Sequence, residues 1–289
     1  LEGLSVIVPA YNEEEGIAGV LEGLKRLLNS EANKRDQYEI LVVDDGSEDN
    51  TCRLAEEVGG LRVIRHAENR GYGAAIKTGI RNSRFNTLAI IDADGSYPAP
   101  ALRELIEGGN EYDMVVGVRE GSRASVPWIR RPAKFFLTRL ANYLAGCRIP
   151  DLNSGLRVFR KERAHEFFHL IPPGFSFTTT LTLAMLCNDY LVKWVPIDYR
   201  PRKGSSKIRP LKDTLSFVTL IVRTIVYFNP LRVFLPVSGA LLFIGLGVGL
   251  AEAILIRNVT TVALMFIFTG VQVGVIGLLA DLIEKRGRK

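Results

Sequence analysis

Two carboxylates one residue apart, Asp92 and Asp94, end the apolar run "TLAII" (87–91) and are followed by Gly95 and Ser96. Where a strand ends the chain turns, so both side chains can approach one rim. A carboxylate at a sheet end is stable when solvated, hydrogen-bonded or bound to a cation. Hard cations such as Mg²⁺ or Mn²⁺ suit one or two carboxylates, with substrate phosphate oxygens completing the shell. The competing reading is an Asp-x-Asp-Gly turn whose acids cap backbone amides. This run alone does not separate the two.

Three more polar clusters stand in comparable places: "PAYNEE" (9–14), "DDGSEDNT" (44–51) and "HAENRGYGAA" (66–75). Each follows a short β-branched run, and the runs 4–8, 39–43, 61–64, 87–91 and 113–116 are separated by segments long enough for a helix. That alternation predicts a parallel α/β sheet, in which ligands sit outside the carboxyl ends of the strands. Four polar loops on one rim point to a site. The first helix is predicted over Glu13 to about Asn29, with Ile17, Val20, Leu21, Leu24, Leu27 and Leu28 on one face. Ser47 or Asp49 is placed to cap the second. A dinucleotide site is excluded: its glycine loop belongs after the first strand, where this chain has "PAYNEE".

Past Gly117 the pattern changes. An Arg-rich stretch (118–136) and "DLNSGLRVFRKERA" (151–164) read as the acceptor half. His165 and His169 have zinc-ligand spacing but no third ligand nearby, so they read as solvated helix residues. Trp194 reads as packing, and Trp128 as lying at a membrane surface.

Charge is frequent up to Arg209 and then nearly vanishes. Residues 233–256 and 259–280 contain a single acid or base between them, Glu252, and each is long enough to cross about 30 Å of hydrocarbon as a helix. Segment 211–230 reads as an interfacial helix. Arg209, Lys212, Arg223 and Arg232 precede the spans, and Lys285, Arg286, Arg288 and Lys289 follow them, which predicts both ends on the cytoplasmic face. Glu252 is expected to pair with Arg257. The opening run is too short and too acidic for a leader's apolar region. Cys52, Cys147 and Cys187 show no metal-ligand spacing and suit reduced thiols. The "NVT" at 258–260 reads as a chance sequon. The net charge of +6 gathers beside the spans, not along an aromatic-studded face, so nucleic acid is excluded as a partner.

Pro9-Ala10-Tyr11-Asn12-Glu13, Asp44-Asp45-Gly46-Ser47, Gly71-Tyr72-Gly73-Ala74-Ala75 and Asp92-Ala93-Asp94 together resemble the ordered motif set of family 2 glycosyltransferases with the GT-A fold. The branch they resemble comprises the dolichyl-phosphate mannose synthases and other polyprenyl-phosphate glycosyltransferases. The resemblance implies a Rossmann-like, mostly parallel α/β catalytic domain over 1–210, the interfacial helix over 211–230 and a transmembrane hairpin over 231–289. It implies a nucleotide-sugar donor held by Pro9, Tyr11, Glu13, Gly71, Asp92 and Ala93, with Asp44 on the base or ribose side. A Mg²⁺ or Mn²⁺ ion would sit at Asp94. Relatives often have Gln where this chain has Ser96, so Ser96 stands as the second candidate ligand. Arg119, Arg131, Ser154, Arg200, Arg202 and Lys207 match positions that hold a polyprenyl (dolichyl or undecaprenyl) phosphate, Arg200 and Arg202 being alternatives.

The implied reaction, in which Asp92, Asp94 and Asp151 are catalytic, is inverting transfer to a polyprenyl phosphate at the cytoplasmic membrane face. Asp151 serves as an orienting group or, toward a hydroxyl acceptor, as a general base. UDP and GDP both remain open as the donor nucleotide, although "DADGSYP" departs from the "DADLQHP"-like form of mannose synthases and leans toward uridine. Self-association is left open. The other readings are a polysaccharide synthase, whose usual Gln-x-x-Arg-Trp is absent, and a non-catalytic membrane scaffold, which would be expected to lose the rim acids.

Overall fold

The computed structural model describes residues 3–30, 37–120, 138–143, 145–172, 174, 176–200, 210–255 and 260–287. Seven strands, β1 (Leu4–Ala10), β2 (Tyr38–Asp44), β3 (Arg62–Arg65), β4 (Thr87–Ile90), β5 (Met114–Glu120), β6 (Arg157–Arg160) and β7 (Val192–Asp198), form one sheet in the order β3-β2-β1-β4-β6-β5-β7. All pairs are parallel except those of β6, which runs antiparallel to both β4 and β5.

The reversal matters for function. Ile90, two residues before Asp92, pairs with Arg157, the first residue of β6. Loop 151–156, which feeds β6, is thereby delivered to the carboxyl edge of β4. A parallel β6 would have sent it to the far edge.

Helices α1 (Ile17–Ser30), α2 (Thr51–Val58), α3 (Tyr72–Asn82) and α4 (Ala101–Gly108) follow the first four strands, and α5 (Lys161–Glu166) and α6 (Phe177–Cys187) follow β6. Val6, Ile7 and Val8 are fully buried, because the central strand is covered on both faces, as continuous apolar strands require. One core layer includes Ile7, Ile90, Phe159 and α6. The other includes Val6, Val8 and the apolar face of α1.

Helix α1 begins four residues later than the sequence reading, because Glu13–Gly16 form a turn in which the amides of Gly16 and Ile17 both donate to the Glu13 carbonyl. Gly16 presses so closely on the Ala93 carbonyl that a Cβ there would lie 2.6 Å from it. Neither candidate caps α2: the N-cap position is Asn50, which makes no side-chain cap bond, while Asp49, one residue earlier, accepts from the Thr51 amide at 2.9 Å. The three cysteines are free.

Helix α7 (Pro210–Phe228) buries Ile221, Ile225 and Phe228 in the first core layer. Phe228 meets Phe167 edge to face at 5.8 Å, and the Tyr227 hydroxyl lies 3.0 Å from His169 Nε2. The helix expected to lie in an interface is docked on the core of the sheet domain.

Helices α8 (Leu231–Leu255) and α9 (Thr261–Gly287) form a hairpin, and both are long and apolar enough to cross a membrane, with mean hydropathy 2.2 and 2.3. Phe243 and Leu255 are 80% and 81% exposed, so the apolar surface points outward. The two helices approach closely through Gly245, Gly270 and Gly277, as small residues allow in a membrane. The Ser238 hydroxyl bonds the Gly270 carbonyl at 2.7 Å. Glu252 accepts from the Thr260 amide and hydroxyl at 2.8 and 2.6 Å, tying the ends of the connection. Its expected partner Arg257 lies outside the described residues.

Candidate active site

At the carboxyl edge of the sheet lies a cavity of about 440 Å³. The β1 loop contributes Pro9, Tyr11 and Glu13, the β2 end Asp45, the start of α3 Gly71, Tyr72 and Ala75, and the β4 end Asp92, Ala93 and Asp94. A polar recess of about 530 Å³ adjoins it, sharing Tyr11 and Asn69 and lined also by Ser47, Asp49 and Arg65. The four polar loops expected on one rim thus meet there.

Backbone contacts lock the loops to one another. The Asn12 amide donates to the Ser47 hydroxyl at 3.0 Å, and the Glu13 amide to the Thr51 hydroxyl at 2.8 Å. Asp45 accepts from the Arg70 and Gly71 amides at 3.0 and 2.7 Å, with His66 Nδ1 at 2.6 Å. This fixes the glycine at the head of α3, whose φ of 97° suits glycine.

The adjacent acids of β2 separate cleanly. Asp44 is fully buried, accepts from the Ser47 amide and pairs with Arg65 at 3.3 Å, whereas Asp45 reaches the cavity.

Asp92 accepts the Tyr72 phenol at 2.8 Å. Burial, and then the neighbouring charge of Asp94, push its carboxyl up to about 6. Asp94 is nearly buried, and its Oδ1 accepts from both the amide and the hydroxyl of Ser96, at 3.0 and 2.5 Å. Ser96 is itself fully buried. Its hydroxyl is committed to Asp94 Oδ1.

The residues expected on the acceptor side form a second group. Arg119 grips Asp151 through two parallel bonds, Nε to Oδ2 at 2.7 Å and Nη2 to Oδ1 at 2.8 Å, the planar fork that arginine favours. Although burial works against ionisation, Arg119 holds the Asp151 carboxyl below the usual range. The Arg119 guanidinium also lies 5.3 Å from the Tyr199 ring centre. The Arg200 amide bonds the Ser96 carbonyl at 3.0 Å, and the Arg200 side chain is exposed. Ser154 is fully buried. Arg131, Arg202 and Lys207 lie outside the described residues.

The two groups join at Gly155. Its amide donates to the Tyr97 hydroxyl at 2.8 Å, and its α-carbon faces Asp92 so closely that a Cβ would come within 2.3 Å of Oδ2. Tyr72, Asp45, Asn69 and Tyr97 thus belong to the site although sequence reasoning did not assign them. All four stand inside the quoted runs, "DDGSEDNT" for Asp45, "HAENRGYGAA" for Asn69 and Tyr72 and "DADGSYP" for Tyr97, but nothing in those runs says which side chains turn toward the cavity.

Two neighbouring carboxylates, one raised by burial and then by the charge of the other, form an oxygen donor set of the kind a divalent cation relieves. Among the described residues no group of three His, Cys, Asp or Glu converges.

Residues 5–168 match the family model described as Glycosyl transferase family 2, and residues 229–285 match that of the GtrB C-terminal hairpin. A dolichyl-phosphate hexose transferase of Haloferax volcanii is 32% identical over 226 residues, covering 77% of this chain and 93% of that protein. An undecaprenyl-phosphate 4-deoxy-4-formamido-L-arabinose transferase of Edwardsiella ictaluri is 27% identical over 302 residues, covering 99% and 90%. Among solved structures, glucosyl-3-phosphoglycerate synthase of Mycobacterium tuberculosis, captured with Mn²⁺, UDP and phosphoglyceric acid, aligns over 78% of each chain with TM-score 0.59 and 21% identity, a likeness of fold. With the family model spanning more than half of its length and two loop groups meeting at the sheet rim, the chain belongs to glycosyl transferase family 2.

Proposed function

We propose that this protein transfers a sugar, with inversion, from a UDP- or GDP-linked donor to a polyprenyl phosphate at the cytoplasmic face of a membrane. The observation that carries the reading is the contact between Gly155 and Asp92, which brings the loop bearing Asp151 and its partner Arg119 against the acid pair. Relatives named for dolichyl- and undecaprenyl-phosphate acceptors support the lipid. The hairpin, flanked by Arg223, Arg232, Lys285 and Arg286, supports the membrane face.

In this reading Tyr11, Glu13, Gly71 and Asp92 bind the nucleotide-sugar, and Asp94 would hold Mg²⁺ or Mn²⁺. The bound ion would stabilise the charge developing on the departing nucleoside diphosphate. Asp45 fixes the Gly71 loop, and Ser96 fixes Asp94. Arg119 aligns the acceptor phosphate, which is already anionic near neutral pH and needs no base to become a nucleophile. Positioning is therefore the main demand on the acceptor side. Asp151, with both oxygens bonded to Arg119, orients that arginine and is a poor proton acceptor.

Asp94→Ala tests the assignment. The variant is expected to fold with an unchanged melting temperature and to lose turnover by at least about 100-fold, whereas near-normal transfer would refute it.

A further inference from the structure

Arg157 is the largest fully buried side chain in the chain's described residues, and its guanidinium has no carboxylate partner among them. Nη1 donates to the Thr178 carbonyl at 3.1 Å and the Thr182 hydroxyl at 3.2 Å, and Nη2 donates to the Ser154 carbonyl at 2.5 Å. Nε has no hydrogen-bond partner. A buried charge is unfavourable unless hydrogen bonds and opposite charges compensate, and here Asp151 and Asp92 lie near enough to favour the charged form without pairing with it directly. An apolar side chain of similar length would fill the space without that penalty. Burial pushes its pKa down only to about 10, so it stays charged at neutral pH.

Its position gives the charge a use. Arg157 pairs with Ile90 across β4 and with Val116 across β5, just beneath the end of β4 from which Asp92 emerges. The fork ties the 151–155 loop to the first turns of α6, and a second strut runs parallel to it, from the Thr179 hydroxyl to Asn153 Oδ1 at 2.5 Å. That loop carries Asp151 at one end and Gly155, seated on Asp92, at the other.

Building on the function proposed above, we infer that Arg157 is a positioning residue that sets the acceptor loop at a fixed distance from the acid pair. No substrate contact is required of it. Three acceptors on two elements need a planar fork, so lysine cannot reproduce the arrangement.

The test uses the full-length chain in detergent, with Arg157→Lys and Arg157→Met compared with the unaltered protein. Two readouts are taken, steady-state kinetics with polyprenyl phosphate and a nucleotide-sugar, and amide hydrogen exchange. In both variants kcat/KM for the lipid is expected to fall by about 100-fold, while KM for the donor stays within about threefold, a split that general destabilisation would not produce. The Asn153 and Gly155 amides are expected to exchange faster, and those of β1 at the unaltered rate. Variants that match the unaltered protein in exchange at Asn153 and Gly155 would overturn the inference, as would a rise in donor KM as large as the loss in kcat/KM for the lipid. An unaltered protein that transfers nothing to polyprenyl phosphate would instead refute the function proposed above, and the exchange arm would still decide the role of Arg157.

Discussion

The Tyr72 phenol donates to Asp92 Oδ1 at 2.8 Å, joining the head of α3 to the end of β4 across the floor of the cavity. The two residues come from separate loops, so the bond reports how tightly the rim is assembled. Hydrogen bonds to charged groups contribute about 1.5–3 kcal/mol. Tyr72→Phe removes the donor and keeps the ring, and should lower kcat/KM for the nucleotide-sugar by about 10-fold or more. Steady-state kinetics on the purified variant checks this, and an unchanged value would mean that the bond has no role in turnover.

Gly155→Ala probes the joint between the loop groups. The added methyl would lie 2.3 Å from Asp92 Oδ2, so the loop, the acid or both must shift. A displacement of about 1 Å at a reacting centre can cost about 100-fold. The variant should fold, since the strain is confined to the rim, and lose most of its turnover. Circular dichroism with a transfer assay separates these outcomes.

Much of this arrangement is legible in the sequence. The β-branched runs of β1, β2 and β4 declare buried parallel strands, and the polar residues after them declare the rim. The direction of β6 is not legible, because "RVFR" is four residues long and carries no orientation. Without that direction, nothing in the sequence puts Gly155 on Asp92 or Arg157 beneath it. The Asp44–Asp45 pair is similarly ambiguous: where a strand ends, the turn geometry decides which side chain is buried against Arg65 and which enters the cavity. The Ser96 hydroxyl faces Asp94 from within the core, a direction that composition does not encode.

Asp151 offers a test of mechanism through pH. Arg119 holds its carboxyl below the usual range, so it is ionised throughout the neutral region. Any contribution requiring its charge is lost only as pH falls through and below the ordinary carboxylate range, about pH 4. Asp151→Asn should therefore raise KM for the lipid acceptor and leave the kcat profile between about pH 5.5 and 8 unmoved in shape. Loss of an acidic limb inside that window would reassign Asp151 as a general base.

Glu39 lies away from the site and gives a stability prediction. Burial alone would raise its pKa, but the Ser5 hydroxyl at 2.6 Å, the Arg84 amide at 2.5 Å and Arg62 at 3.0 Å outweigh this and hold the carboxyl below its ordinary value of 4.5. A depressed folded-state pKa contributes stability that is present above the unfolded value and lost as pH falls through the folded one. Glu39→Gln should therefore destabilise the protein by about 1–3 kcal/mol at pH 7, and the gap should close below about pH 4. Thermal melts of both proteins from pH 3 to 8 check the sign, and a gap that widened in acid would contradict it.

The central claim is tested most directly by incubating the purified full-length protein in detergent with Mn²⁺, a polyprenyl phosphate and a panel of labelled UDP- and GDP-sugars. Label should pass from one of these donors into an extractable lipid as a single sugar on one phosphate, and the transfer should cease when the cation is chelated. Failure of every donor to label the lipid, or equal transfer in excess chelator, would contradict the account.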